Sequence, residues 1–285
     1  VTGPSYPFAD LALARRLERA EGRSNARSID ARARLFPERG ACWIEVAGAL
    51  AMFDEPSSPI TQTFCLGMFQ TPTADDFSVI EAFYRERGAP VFHEVSPMAD
   101  AALLAQLVER GYQPIEFTSV LYRSIAGLEP CATGVEAASR AIGVEVAQGL
   151  NPAIRLLEPG EEELYARTSA AGWREFGFGD FMLEMGRLYA NTEGLHLFVA
   201  ELEGEAIATG ALSLCEGVAH LAGASTIPEG RRRGAQLALL EARLQYAASH
   251  GCDLALMGAL PGSSSQRNAE RHGFRIAYTR VKWKR

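Results

Sequence analysis

Lysine is nearly missing from this chain. Only Lys282 and Lys284 occur, so almost all positive charge is arginine, a bias with no functional weight of its own. Cysteine is sparse and unpatterned. Cys42, Cys65, Cys131, Cys215 and Cys252 are odd in number and contain no Cys-x-x-Cys, which argues against a disulfide framework and a cysteine zinc site and makes a reducing cytoplasm the expected compartment. The five histidines stand at no metal-ligand spacing from each other or from cysteine, so no metal is expected. Long apolar runs are missing too. The stretch from Ala41 to Phe53 is interrupted by Glu45 and is shorter than the roughly 20 residues a helix needs to cross a bilayer, so no membrane association is expected. Residues 1 to 7 lack the basic and apolar regions of a secretory leader, and none is expected in the sequence as it stands. The net charge of −7 disfavours a general nucleic-acid binder held by phosphate contacts.

What is present is an ordinary globular composition, 47% hydrophobic and 22% charged. Its 285 residues point to about two domains at roughly 150 residues each. Between Ser124 and Asn151 aromatic residues stop and glycines gather, the composition of a linker. The flanks resemble each other. Phe117-Thr-Ser-Val-Leu-Tyr-Arg123 aligns with Tyr278-Thr-Arg-Val-Lys-Trp-Lys284, Glu109-Arg-Gly-Tyr112 with Glu270-Arg-His-Gly-Phe274, and Gly88 with Gly251, at separations of 161 to 163 residues. A duplicated domain follows, each copy ending helix, strand, helix, Gly-aromatic, strand. The expected division is a first copy over 1–123, a linker over 124–152 and a second copy over 153–285.

In the second copy, 195–199, 206–214 and 218–227 read as a strand meander with a turn at Glu203-Gly204. Residues 235–250 read as an amphipathic helix with Gln236, Glu241, Arg243 and Gln245 off its apolar stripe and Gly251 as its C-cap. A strand at 254–259 and a Pro-Gly-Ser-Ser-Ser stretch that can cap a further helix complete an α+β organisation.

The segment that carries chemistry is Ala224-Ser-Thr-Ile-Pro-Glu-Gly-Arg-Arg-Arg-Gly-Ala-Gln236, a strand joined to a helix through a glycine- and arginine-rich turn. Main-chain N–H groups of such a turn, with the helix dipole, form an anion site. Arg231, Arg232 and Arg233 give it a local positive focus on an acidic background, which points to a phosphorylated ligand; a solvated charge run is the other reading. The stretch lacks the Gly-Lys-Ser/Thr ending of a nucleotide P-loop and the Gly-x-Gly-x-x-Gly of a dinucleotide fold.

It resembles the acetyl-coenzyme A motif of the GNAT superfamily of N-acyltransferases, Gln/Arg-x-x-Gly-x-Gly/Ala after a strand and Pro-Glu. Arg231 stands at the first position, Gly234 at the central glycine and Gln236 at the last, where the family has Gly or Ala. The second signature of that superfamily, a Ser- or Asn-rich helix entry running into Glu-Arg/Lys-x-Gly-Phe, is matched by Ser265-Gln-Arg-Asn-Ala-Glu-Arg-His-Gly-Phe274. The resemblance covers 153–285 and implies an acyl-CoA N-acyltransferase-like α/β/α fold in two tandem copies, each a mixed, mostly antiparallel twisted sheet flanked by helices.

The same resemblance implies that acetyl-CoA is held by Ala224, Ser225 and Thr226 along the pantetheine arm, by residues Arg231, Arg232, Arg233, Gly234, Ala235 and Gln236 at the pyrophosphate, and by Ser265, Asn268 and Arg271 on the last helix. Ala269 stands where many members carry a tyrosine as general acid. His220 stands where several carry a glutamate base, and an imidazole suits proton removal from an ammonium near neutral pH; a polar residue on a half-exposed strand is the alternative. By period two, His220, Ala222, Ala224 and Thr226 are expected on one face of their strand. Trp173, Glu175 and Phe176 are candidates for the acceptor pocket, or equally for an aromatic packing turn.

The expected function is N-acetyl transfer from acetyl-CoA to a primary amine on a small molecule or peptide. The alternatives are a non-catalytic acyl-CoA binding or sensing module, a longer acyl donor, or a hydroxyl acceptor. A monomer and a homodimer are both compatible with the sequence. The first copy replaces the arginine turn with Phe69-Gln-Thr-Pro-Thr-Ala74 followed by Asp75 and Asp76, so it is expected to be degenerate and not to bind cofactor, with Thr73 or Asp75 capping the helix that follows.

Overall fold

A computed structural model describes residues 6–128 and 152–285. Most of the expected 124–152 linker lies outside the described residues. Two compact units emerge, one comprising 1–124 with 256–285, the other 125–255.

The first unit opens with α1 (Leu11–Leu35), a 25-residue helix whose N-cap Asp10 accepts a hydrogen bond from the Leu13 amide at 2.9 Å. Then follow β1 (Cys42–Val46), β2 (Ala49–Phe53), β3 (Thr63–Phe64), α2 (Ala74–Glu86), β4 (Phe92–Val95), α3 (Ala101–Glu109) and β5 (Gln113–Ser124). The chain returns to this unit late, through the end of β10 (Leu254–Ala259), then α7 (Ser264–Arg271) and β11 (Arg275–Lys284). The sheet order is β1-β2-β3-β4-β11-β5, with only the β3–β4 pair parallel. Phe77, Ile80 and Tyr84 of α2 and Leu103 and Leu107 of α3 form the core on one face, with Trp283 of β11.

β11 lies between β4 and β5, with Val281 opposite Val95 on one side and Phe117 on the other. The two segments recognised as copies of one another, 117–123 and 278–284, are therefore hydrogen-bonded partners. Thr118 sits opposite Arg280 and Ser119 opposite Thr279; a shift by the 161-residue repeat interchanges these two pairs, so the two strands meet about a local twofold. Sequence repeats and compact units thus divide the chain differently. The repeat assigns 256–285 to the second copy, whereas the strand pairings bind it into the first unit, because a strand is held by whichever edge completes its ladder.

The second unit contains β6 (Ala153–Leu156), α4 (Glu162–Trp173), α5 (Gly179–Ala190), β7 (Leu195–Leu202), β8 (Glu205–Cys215), β9 (Val218–Thr226) and α6 (Ala235–Ser249). Its strands run β6-β7-β8-β9, all antiparallel. The β7–β8 hairpin turns at Glu203 and Gly204, both at positive φ, the left-handed pair that a two-residue hairpin loop requires. Tyr165, Leu197, Val199 and Ala211 form a core on the face covered by α4 and α5.

Candidate functional site

The site residues of the second unit lie at the end of β9 and the start of α6. Along β9 the ladder to β8 pairs Ser213 with His220 and Ala211 with Ala222, then Thr209 with Ser225. Gly223 and Ala224 together face the single residue Gly210, a β-bulge, and Gly223 takes φ +59° to make it. The bulge overturns the period-two expectation. It shifts the alternation by one, so His220, Ala222 and Ser225 share the face toward α4, while Thr226 lies on the other. Ser225 is buried and donates to the Ser169 carbonyl of α4 at 2.8 Å. Gly172, at the end of that helix, packs so closely that a Cβ there would stand 2.8 Å from the Thr226 carbonyl oxygen. His220 is 8% exposed, a strand position covered by the helical layer and not open to solvent.

Beyond β9 the chain makes a single 3-10 turn over Pro228–Gly230. The Ile227 amide donates to the Ile207 carbonyl at 3.0 Å, and Gly230 lies against Ile207 with no room for a Cβ. Arg232 and Gly234 then adopt left-handed backbone at φ +62° and +79° on either side of Arg233, and α6 begins at Ala235 with no side chain capping it. The first amides of α6 are left for solvent or a ligand, the arrangement that receives an anion. Arg232 and Arg233 are exposed beside it.

Arg231 is placed differently. It forms a short ion pair with Glu175, donates to the Gly172 carbonyl at 3.2 Å, and lies 5.9 Å from the Phe176 ring centre. The expected pyrophosphate ligand and the expected acceptor-pocket residues are therefore in direct contact. Trp173 packs edge-on to Phe176 and Phe178 at 6.0 and 6.5 Å, and the two phenylalanines are 58% and 55% exposed, an open aromatic cluster around one carboxylate. Gln236, the departure from the motif, donates Nε2 to the Thr226 hydroxyl at 2.5 Å and ties the helix start to the strand end.

Ser265, Asn268 and Arg271 belong to α7 of the first unit and are exposed. Ser263 caps that helix, accepting from the Gln266 amide at 3.2 Å. Ala269 is buried. In the first unit the segment expected to correspond to the arginine turn leads into a capped helix. Thr73 accepts from the Asp76 amide at 3.2 Å while Asp76 accepts from the Thr73 amide at 2.8 Å, a reciprocal cap that fills the start of α2. These bonds hold the Asp76 carboxyl below its usual range.

Two buried polar groups of the second unit are not legible in the sequence. Arg243, off the apolar stripe of its helix, is buried, as is Tyr165, whose hydroxyl burial pushes well above its usual range; Tyr189 packs partly buried against the same core. Glycine in the middle of β8, at Gly210, was the one available signal, since it marks close approach of another group. Among the described residues, no group of three or more His, Cys, Asp and Glu side chains is arranged to hold a metal, and no helix is long and apolar enough to cross a membrane.

Residues 163–274 match the model of the acetyltransferase (GNAT) family. The chain carries a GNAT domain. A GCN5-related N-acetyltransferase from Kribbella flavida matches with a TM-score of 0.58 at 19% identity, over 90% of this chain and 94% of that one. A second, from Sphaerobacter thermophilus, matches at 0.51 and 15% identity over 79% and 71%. A tandem GNAT protein from the clavulanic acid biosynthesis pathway matches at 0.53 and 14% identity over 74% and 68%. At these identities the likeness is one of fold. No curated protein matches the sequence at a significant level. GNAT proteins are acyltransferases that use acyl-CoA, and the bulge, the left-handed turn and the uncapped helix all fall inside the matched GNAT segment.

Proposed function

We propose that the chain transfers an acetyl group from acetyl-CoA to a primary amine, with the β9–α6 turn holding the pyrophosphate. The observation that carries this reading is the uncapped start of α6 behind two left-handed residues, with exposed Arg232 and Arg233 beside it: a seat for a dianion in an acidic protein. Ala224 to Thr226 offer main-chain groups to the pantetheine arm.

In the reaction the amine nitrogen attacks the thioester carbon and the carbonyl electron pair moves to oxygen. Collapse re-forms the carbonyl and breaks the C–S bond, the proton leaves nitrogen for a base, and the CoA thiolate takes up a proton as it departs. His220 is the proposed base, acting through water because of its cover by α4. Trp173, Glu175 and Phe176 border the proposed acceptor pocket. The first unit, with Thr73 and Asp76 closing its helix start, is proposed as a degenerate copy without cofactor.

A second reading, an acyl-CoA binding or sensing module without turnover, draws support from Ala269, buried where a phenol would serve as acid. Calorimetric titration of the full chain with acetyl-CoA, followed by thiol release over an amine panel, separates the readings. Binding with turnover supports the enzyme, binding without turnover the sensor, and no binding removes both. Acetyl against succinyl donors in the same assay tests acyl preference.

A further inference from the structure

Arg243 is a buried charge that the transfer chemistry leaves unused. It sits in the middle of α6, 3% exposed, and burial pulls its pKa down to about 10. A guanidinium keeps its charge in such a place only if its donors are satisfied. Main-chain carbonyls bond it, and among the described residues no carboxylate does: Nε donates to the Leu239 oxygen at 3.1 Å, and Nη1 to the oxygens of Ala211 and Ala222 at 3.1 and 3.3 Å. The sheet is shaped to admit it. Gly210 lies directly against the guanidinium, and a Cβ there would stand 2.9 Å from Cζ.

The two strand carbonyls belong to one opposed pair, Ala211 and Ala222, the last pair before the bulge. A packed apolar side chain at 243 would fill the same interface without the cost of a desolvated cation. What the cation adds is electrostatic. The Ala222 carbonyl is one end of a peptide whose other end is the Gly223 N–H, and a charged donor on the oxygen polarises that peptide and strengthens its N–H as a donor. A bulge is also where main-chain groups leave the ladder and become available to a ligand.

We propose that Arg243 is a positioning residue for acyl transfer: bonded to the Ala222 carbonyl, it fixes the β9 bulge and polarises the Ala222–Gly223 peptide, so that the bulged main chain receives the thioester oxygen of a bound acyl-CoA. This rests on the acyl-CoA reading of the β9–α6 turn. Arg243 touches no substrate atom and moves no proton. Its effect reaches the reaction through one peptide group.

The test is isotope-edited infrared spectroscopy of carbonyl-labelled acetyl-CoA on the full chain, which needs no acceptor. In the parent protein the thioester stretch moves to lower frequency on binding. In Arg243→Met that displacement is lost while the calorimetric dissociation constant for acetyl-CoA stays nearly unchanged, and Arg243→Lys, which keeps the charge, restores part of it. With an amine that turns over, kcat falls about tenfold or more and KM for acetyl-CoA changes little, as expected when a main-chain oxyanion donor is weakened. An undisplaced stretch in the parent, or a full displacement in a folded Arg243→Met, overturns the proposal. So does loss of acetyl-CoA affinity in step with the displacement in both variants, which is what a merely structural arginine would give. A parent protein that binds no acetyl-CoA would instead overturn the underlying acyl-CoA reading.

Discussion

Tyr278 donates its hydroxyl to the Glu18 carboxylate at 2.8 Å, joining the last strand to the first helix across 260 residues of sequence. Around that bond the first unit gathers three carboxylates, those of Glu18 and Glu94 buried and that of Glu21 half-buried, about the buried Arg280. Arg280 bonds both oxygens of Glu21 at 2.8 and 2.9 Å, and lies 3.5 Å from Glu18 and 3.6 Å from Glu94; Lys282 reaches Glu94 at 3.5 Å.

Glu18 is accordingly a proton store. Burial first, and Glu21 and Glu94 after it, push its pKa up to about 7, against the pull of Arg280 and Tyr278. A carboxyl with a raised folded pKa binds its proton more tightly in the native state, so its contribution is full below about 4.5 and is lost as pH rises through about 7. Stability of the first unit should fall between pH 5 and pH 8 by on the order of 3 kcal/mol from this group. Glu18→Gln, which keeps an acceptor for Tyr278, should flatten that slope in urea titrations. An equal slope in the variant would assign it elsewhere.

His93 pulls the opposite way. It is wholly buried between Phe77 and Tyr112, ring centres 6.1 and 4.7 Å away, and neither nitrogen has a hydrogen-bond partner among the described residues. Burial lowers its pKa to about 3. A histidine forced to stay neutral costs stability once pH drops below its unfolded value near 6.5. Replacing it with leucine should stabilise the chain by about 1–3 kcal/mol, the cost of unpaired buried polar atoms, with a larger margin at pH 5.5 than at pH 7.5. Thermal unfolding at the two values checks it, and a less stable leucine variant would count against it.

The contrast between legible and illegible features follows from what each depends on. The β9–α6 turn could be read because glycine and proline dictate its main-chain conformation locally: Gly230 packs on Ile207, and Gly234 takes φ +79°. Thr73 could be read as a cap for the same reason. The seat of β11 could not, since self-similarity says that 117–123 and 278–284 are alike and not that they pair with each other. Nor could the bulge, where one extra residue moved Thr226 to the face opposite His220. Arg243 was hidden by its own period on α6: a charged residue off the apolar stripe reads as solvated unless the glycine that receives it, Gly210 on another strand, is known to be its neighbour.

Glu175 pairs with Arg231, so a pyrophosphate seeking that guanidinium competes with a carboxylate. Glu175→Gln should therefore bind CoA more tightly than the parent. Both side chains are more than a third exposed, which limits the gain to at most about 1 kcal/mol, roughly fivefold, and makes it shrink with added salt. Calorimetry at low and high ionic strength reads both effects. Weaker binding in the variant would mean that the pair builds the site, with Glu175 holding Arg231 in position.

Arg232 and Arg233 offer the cleaner probe of the anion seat, because both project into solvent and neither packs against the aromatic cluster. Reversing both to glutamate should leave the unfolding transition within about 0.5 kcal/mol of the parent, as for surface changes generally, while CoA affinity falls by on the order of 2 kcal/mol or more. The salt dependence of the remaining binding should flatten, since fewer opposite charges meet at the site. Dephospho-CoA, which lacks the ribose phosphate and keeps the pyrophosphate, separates the two anionic groups. If the double variant loses affinity equally for CoA and dephospho-CoA, the arginines act at the pyrophosphate beside the start of α6. A loss confined to CoA would move them to the ribose phosphate and leave the main-chain amides alone with the pyrophosphate.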